Sequence, residues 1–163
     1  MVGADPQRLA LPREGAPADA KRVVFFPGST IGNMTPGEAR AFLGKTAGLL
    51  RGGGALRIGV GLKKDPAILH AAYNDAAGVT AAFNLNLLVR MNRELGADFD
   101  LATFRHRAFY NEAAGRVEMH LVSLRPQTVH LAGHAFPFAA GESIHTENSY
   151  KFTVEEFQHL AAG

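Results

Sequence analysis

Glu147, Asn148 and Ser149 put a carboxylate two residues before a hydroxyl, inside Ile144 to Phe152, a stretch patterned as a strand. On extended backbone residues i and i+2 share a face, so the two groups stand side by side and can meet a ligand that offers an N–H next to an acceptor. A solvated edge strand accounts for the same residues equally well. A second polar cluster, Ser29, Thr30 and Asn33, follows the apolar run Val23 to Phe26 and Pro27, in a loop opened by Gly28 and Gly32. Hydroxyl and amide groups then sit at the C-terminal edge of a strand, where open α/β sheets bind ligands. An ordinary strand-to-helix loop is the alternative there. Tyr73 lies on a helix that starts at Pro66, and an aromatic in that setting more often packs than contacts a ligand.

Other chemistries fit less well. Among seven histidines, His130 and His134 have a spacing that some zinc ligands use. Both fall in strand-like stretches around Gly133, no cysteine is available and no His-Glu-x-x-His helix occurs, so hydrogen-bonded or surface histidines are expected and no metal site. Gly28-Ser29-Thr30-Ile31-Gly32 holds its serine second and not third, without an evident base, which excludes a nucleophile elbow and hydrolase chemistry.

The elements that must position these residues follow in chain order. Val23 to Phe26 reads as a strand covered on both faces. Thr35-Pro36-Gly37-Glu38 is a capping box, and Ala39, Phe42, Leu43, Ala47 and Leu50 recur at helical spacing, predicting a helix over about 36 to 50. Gly52-Gly53-Gly54 ends it, and Ala55 to Leu62 is a second strand, parallel to the first in a βαβ unit. Asp65-Pro66 opens a helix to about Tyr73; Val79, Phe83, Leu87, Met91 and Leu95 then predict another over 79 to 95, stopped by Gly96. From Phe104 the period becomes that of strands. Phe104 to Asn111 and Arg116 to Ser123 form a hairpin in which Val117, Met119 and Leu121 alternate with Glu118, His120 and Val122, so that Met119 faces inward. Gln127 to Leu131 and His134 to Phe138 are further antiparallel strands, and Thr153 with Glu156 is a capping box for a last helix.

Residues 1 to 21 are an irregular lead-in, within which Met1 to Asp5 have the pattern of a frayed strand end; 22 to 64 are a parallel α/β fragment, 65 to 151 an α+β module and 152 to 163 a short return. A 163-residue chain is one domain or one and a half, yet a parallel piece of about 40 residues rarely folds unaided, so it reads as half of something. Lys plus Arg number 17 against 15 Asp plus Glu, without basic runs, which disfavours nucleic acid. The absence of cysteine removes disulfides and thiolate catalysis and makes a reducing cytoplasm the default location. No run reaches membrane-spanning length, so no membrane association is expected, and the first 20 residues lack a signal peptide's apolar region.

A series of ordered motifs then stands out: Phe26-Pro27-Gly28-Ser29-Thr30-Ile31-Gly32-Asn33, Lys64-Asp65, Ala72-Tyr73-Asn74-Asp75, Gly78-Val79-Thr80-Ala81, Phe83-Asn84-x-Asn86, Asn92-Arg93-Glu94-Leu95, Ala97-Asp98-Phe99-Asp100, Glu118-Met119 and Thr146-Glu147-Asn148-Ser149. Over nearly all of residues 22 to 160 the chain resembles the histidine-specific Nα-methyltransferases of ergothioneine biosynthesis. The resemblance implies a partial class I, Rossmann-like methyltransferase sheet with an inserted α+β substrate-binding module. It implies an S-adenosylmethionine-dependent enzyme that methylates the α-amino group of L-histidine towards trimethylhistidine. Asn33 and Tyr73 would hold the amino and carboxylate end of histidine, with Asn33 as the catalytic residue; Glu147 and Ser149 would read the imidazole, with Met119 packed in the same pocket. For the cofactor the resemblance points to Asp5, Pro6 and Gly28.

The departures from the family pattern are specific. Pro6 stands where an aromatic residue is usual, Gly61 replaces an aspartate before Lys64-Asp65, and the upstream glycine-rich loop, the acidic residue for the ribose and the upstream tyrosines are absent. The expectation is therefore a fragment with an incomplete S-adenosylmethionine site and little or no methyltransferase activity of its own. A non-catalytic amino-acid-binding or oligomerising module is the second reading, with association between copies through exposed apolar sheet surface.

Overall fold

A computed structural model describes residues 20–50 and 53–162. The lead-in with its Met1 to Asp5 strand end, Asp5 and Pro6, and Gly52 of the glycine run lie outside the described residues. The fold is mixed α/β and divides into two compact units: Leu62–Thr153, and the described residues up to Gly61 together with those from Val154.

In the latter unit, β1 (Val23–Phe26) pairs in parallel with β2 (Ala55–Ile58), Val23 opposite Ala55 and Phe26 opposite Ile58. Between them runs α1 (Pro36–Leu49), started as its sequence predicts. The Glu38 amide donates to Thr35 Oγ1 at 3.3 Å and the Thr35 amide donates to Glu38 Oε2 at 2.8 Å, which uses two otherwise unpaired donors of the first turn. Phe42 of α1 packs on Phe26, ring centroids 4.6 Å apart, and α4 (Val154–Ala162) lies against α1. The second strand ends earlier than its apolar pattern suggests, at Ile58. The expected burial of β1 on both faces is not found either: Val23 and Phe25 are 64% and 67% exposed. Alternation explains this, since Val24 and Phe26 turn to the helix side while Val23 and Phe25, with Ala55 and Arg57 beside them, stand on the exposed face of the two-stranded sheet.

The unit Leu62–Thr153 is built on a three-stranded antiparallel sheet of order β3 (Phe104–Asn111), β4 (Arg116–Ser123), β7 (Ser143–Tyr150). Helices α2 (Pro66–Tyr73) and α3 (Val79–Leu95) cover one face, and the hairpin β5 (Gln127–Leu131) with β6 (His134–Phe138) closes one end. Leu88, Phe99, Phe104, Leu121 and Val129 form one apolar cluster and Leu69, Ala108, Val117 and Met119 a second. Each of the larger side chains stabilises the fold by about 1.5–3 kcal/mol through burial.

Helix α3 has the predicted extent, but its i+4 apolar row is not its buried face. Phe83 is 68% exposed and Leu95 58%, while Asn84 and Leu88 are buried. Asn84 decides the rotation of the helix, because its Nδ2 donates to the His120 carbonyl at 3.2 Å and meets His106 Nδ1 at 3.0 Å.

Two strand details matter for the site. Opposite β4, residues Glu147 and His145 pair with Met119 and His120, so Thr146 has no partner and forms a bulge. Thr146 Oγ1 donates to the Met119 carbonyl at 3.0 Å, and the extra residue turns His145 to the face opposite Glu147. Beyond β7, the Lys151 amide donates to the Gly115 carbonyl at 2.9 Å, which extends the strand's alternation by one more inward residue.

Candidate functional site

Cross-strand partners in a sheet share a face, so Ala108 and Tyr110, Met119 and Val117, and Glu147 and Ser149 line the helix-covered side. Tyr73 arrives there from α2. Asp65 starts that helix by accepting from the Ala67 amide at 2.8 Å, with Pro66 in the first helical position. At its other end Asn74 is clamped to the free edge of β3: Nδ2 donates to the Ala108 carbonyl at 3.1 Å, and Oδ1 accepts from the Ala108 amide at 3.2 Å. His106 Nε2 meets the Tyr73 carbonyl at 2.9 Å. The next residue, Asp75, caps α3 by accepting from the amides of Val79 and Thr80, each at 2.8 Å, and the Thr80 hydroxyl together with these amides holds its carboxyl down at about 2.

The result is a closed triangle of polar atoms. Tyr73 Oη donates to Ser149 Oγ at 2.8 Å; Lys151 Nζ donates to Tyr73 Oη at 2.8 Å and to Ser149 Oγ at 2.6 Å. Lys151 is 7% exposed, and its ammonium sits beyond the phenol oxygen, 5.0 Å from the centre of the Tyr73 ring. Met119, 4% exposed, packs with Val117, Ala108 and Leu69 beside Tyr73 and Tyr110. Glu147 is half-buried on the same face of β7. Of the residues singled out in the sequence, Tyr73, Met119, Glu147 and Ser149 therefore share one region of Leu62–Thr153. Lys151, which belongs to none of the sequence motifs, joins them; the alternation that groups Glu147 with Ser149 reaches it in one further step of two.

Gly28 and Asn33 belong to the other unit. Gly28 (φ 76°) and Ser29 (φ 58°) take consecutive left-handed conformations after β1, and a short 3-10 turn, Thr30–Asn33, ends at the exposed Asn33. Gly59 at the end of β2 lies so close that a Cβ there would come 3.1 Å from the Gly28 nitrogen and 3.3 Å from that of Ser29. Ser29 Oγ is buried without a hydrogen-bond partner, so the loop holds a polar group open to a ligand's donor or acceptor.

The outer face of the sheet carries a different group. Burial pushes the Glu118 carboxyl up, and hydrogen bonds from Arg116 (2.8 Å), His120 (3.2 Å) and Asn111 (3.1 Å) outweigh it and hold the carboxyl at about 2. His120 stacks between Phe109 and His145, at 5.4 and 4.5 Å. Glu118, His120 and His145 bring ligand atoms within 4.8 Å of one another. The two imidazole planes are only 13° from parallel, however, so their in-plane lone pairs run side by side and do not converge on one ion at about 2 Å. His130 is hydrogen-bonded, as its sequence setting suggests: its amide and Nδ1 meet the Asp98 carboxylate at 2.6 and 2.9 Å and depress that carboxyl.

Comparison with known proteins bears on what such a face is for. Residues 6–163 match the family of histidine-specific, SAM-dependent methyltransferases. The chain belongs to this family. It is 48% identical over 141 residues to a histidine N-alpha-methyltransferase of Mycolicibacterium smegmatis, covering 85% of this chain and 44% of that protein. A histidine N-alpha-methyltransferase of Mycobacterium tuberculosis is 46% identical, over 83% of this chain and 43% of its own length. Ergothioneine biosynthesis protein 1 of Neurospora crassa is 29% identical over 86% of this chain and 16% of that protein. The chain thus spans less than half the length of these relatives. As a histidine-specific methyltransferase sequence it has its ordered motifs in both units, and no helix of its described residues is long and apolar enough to cross a membrane.

Proposed function

We propose that this chain carries the histidine pocket and part of the Rossmann-like cofactor sheet of an S-adenosylmethionine-dependent enzyme, cytoplasmic in location, that methylates the α-amino group of L-histidine towards trimethylhistidine. One observation carries the reading: Glu147 and Ser149 share a face of β7 beside Met119 and Tyr73, in a family specific for histidine. A neutral imidazole has one N–H and one acceptor nitrogen, and a carboxylate with a hydroxyl satisfies both. Met119 and the Tyr73 ring supply apolar walls. A site that satisfies such polar groups rejects analogues that lack them.

Tyr73 takes the amino and carboxylate end of histidine; Asn33 is the catalytic residue, and Gly28, with Asp5 and Pro6, contributes to the cofactor site. S-adenosylmethionine supplies the methyl group. The task of the protein is then positional, holding a neutral amine in line with the transferred carbon while ring contacts fix the far end of the substrate. The buried, unpartnered Ser29 Oγ beside Gly28 supports a polar ligand at that loop.

A second reading draws on Val23 and Phe25, whose exposure suits association of β1 with another copy or chain. Calorimetry of the 163-residue chain with L-histidine and with S-adenosylmethionine, titrated separately, tests both. Histidine binding that Glu147→Ala weakens tenfold or more is expected. Failure to bind histidine, with concentration-dependent self-association, would favour the second reading.

A further inference from the structure

We propose that Lys151 is a positioning residue that makes Ser149 an obligate hydrogen-bond donor, so that the pocket takes the neutral imidazole and turns away the imidazolium. The inference rests on the reading of Glu147 and Ser149 as the imidazole contacts. Its basis is a count of hydrogen-bonding capacity at one oxygen. A serine hydroxyl has one proton to give and two lone pairs to receive with. Lys151 has no acceptor, so its 2.6 Å bond fills one lone pair of Ser149 Oγ. Tyr73 Oη, itself accepting from Lys151 at 2.8 Å, is the more acidic hydroxyl and donates to Ser149 Oγ at 2.8 Å, which fills the other. The Ser149 proton is then the only capacity left, and it points away from both partners.

A ligand nitrogen at Ser149 must therefore be an acceptor. The neighbouring carboxylate of Glu147 can only accept, so it takes the ring N–H. Together they demand one donor and one acceptor on the ring, which is the neutral imidazole in a single tautomer. An imidazolium brings an N–H to each side, and the one facing Ser149 meets a proton with no lone pair behind it. The ammonium of Lys151, one bond beyond that oxygen, opposes the extra positive charge as well. Burial sharpens both effects, since Ser149 and Lys151 are 6% and 7% exposed and water cannot readily restore the missing partner.

The other titratable groups that these elements bring to this side are Glu147 on β7, His70 and Tyr73 on α2, and His106 and Tyr110 on β3; β4 presents Val117, Met119 and Leu121 to this face, none of them titratable. His106 is engaged by Asn84 and the Tyr73 carbonyl, and His70 is exposed. All of them remain in a variant altered only at Lys151, so a comparison with that variant cancels their titration.

The test is calorimetric binding of L-histidine to the full chain between pH 7.5 and 5, for the wild type, Lys151→Met and Lys151→Arg. Wild-type affinity should fall about tenfold per pH unit below the ligand's imidazole pKa of about 6.5. Lys151→Met frees a lone pair on Ser149, so its affinity at pH 5 should stay within about threefold of that at pH 7.5; Lys151→Arg should restore the slope. An unchanged slope in a folded Lys151→Met overturns the proposal while leaving the histidine pocket standing. If Lys151→Met does not fold, β-(2-pyrrolyl)alanine, which keeps the N–H and lacks the acceptor, gives the same answer. Wild type should bind it at least about tenfold more weakly than histidine, and Ser149→Ala should narrow that ratio to about threefold. Equal binding of the two ligands by the wild type overturns the donor assignment. Absence of histidine binding by the wild type at every pH overturns the pocket itself and this inference with it.

Discussion

Replacing Tyr73 with Phe deletes one oxygen from the polar triangle and leaves the rest of the contact in place. The ring still packs beside Met119 and Val117 and still lies 5.0 Å from the Lys151 ammonium. What is lost is the Oη that accepts from Lys151 and donates to Ser149, both at 2.8 Å. The first is charge-assisted and part-buried, so about 1.5–3 kcal/mol is expected for Tyr73→Phe. Lys151→Met removes the ammonium but keeps an unbranched apolar stem, so its own cost is smaller, near the roughly neutral outcome of replacing buried charge by apolar volume. The informative quantity is the coupling. Once Lys151 is gone the Tyr73 oxygen has lost its strongest partner, and the double variant should fall short of the sum by about 1–2 kcal/mol. Urea unfolding followed through the β4 amides of Val117 and Leu121 reports on Leu62–Thr153 alone; with a slope of about 1–3 kcal/mol/M, Tyr73→Phe should lower the midpoint by about 1 M. Additivity within about 0.5 kcal/mol would refute the Oη to Nζ bond and with it the saturation of Ser149.

Two further outcomes check other parts of the structure. Gly59→Ala drives a Cβ to 3.1 and 3.3 Å from the backbone nitrogens of Gly28 and Ser29, atoms that cannot rotate aside; about 1–3 kcal/mol of local destabilisation should appear as faster amide exchange at Gly28 and Ser29 with β4 unaffected, and unchanged exchange would refute the close approach. Glu118 has a folded pKa of about 2 against an ordinary value of 4.5, so the stability it contributes is complete above about pH 4.5 and lost as the pH falls towards 2. Asp75, also at about 2, titrates in the same window, so Glu118→Gln should remove a share of the acid slope, about 1–2 kcal/mol after allowance for solvent screening; a slope identical to wild type would sink the assignment.

Local signals made most of the elements legible. The capping box at Thr35, Asp65-Pro66, Gly96 and the switch to alternation at Phe104 act within a few residues, and α3 and β3 to β6 have the extents those signals suggest. Faces were harder to read. The Phe83 to Leu95 row is more apolar than the face that is buried, because two hydrogen bonds from Asn84 to residues 22 and 36 positions away fix the helix rotation. The bulge at Thr146 depends on the partner strand and leaves no local mark, so nothing in the sequence announced that His145 and Glu147 take opposite faces. At the site, alternation grouped Glu147 with Ser149 and set Met119 inward. A lysine after a strand usually reads as solvated, and only the Tyr73 and Ser149 hydroxyls that meet its buried ammonium show Lys151 to be otherwise.

Several family motifs serve architecture before they serve chemistry. In Ala72-Tyr73-Asn74-Asp75 the tyrosine faces the site, while Asn74 pins α2 to Ala108 and Asp75 starts α3. Asn92 pairs with both the amide and the carbonyl of Phe99, at 2.9 and 2.8 Å, which closes the turn after α3, and Asp98 fastens the hairpin through His130. A position 1 Å looser at Asn74 would be felt at Tyr73 Oη, whose two 2.8 Å bonds leave little room for displacement. Short polar side chains that occupy backbone hydrogen bonds are therefore what allow Tyr73 to meet Ser149 and Lys151, from a distant part of the chain, with fixed donor and acceptor roles. The meeting of Tyr73 with Ser149 is in this sense prepared at Asn74 and Asp75, before the chain reaches Glu147.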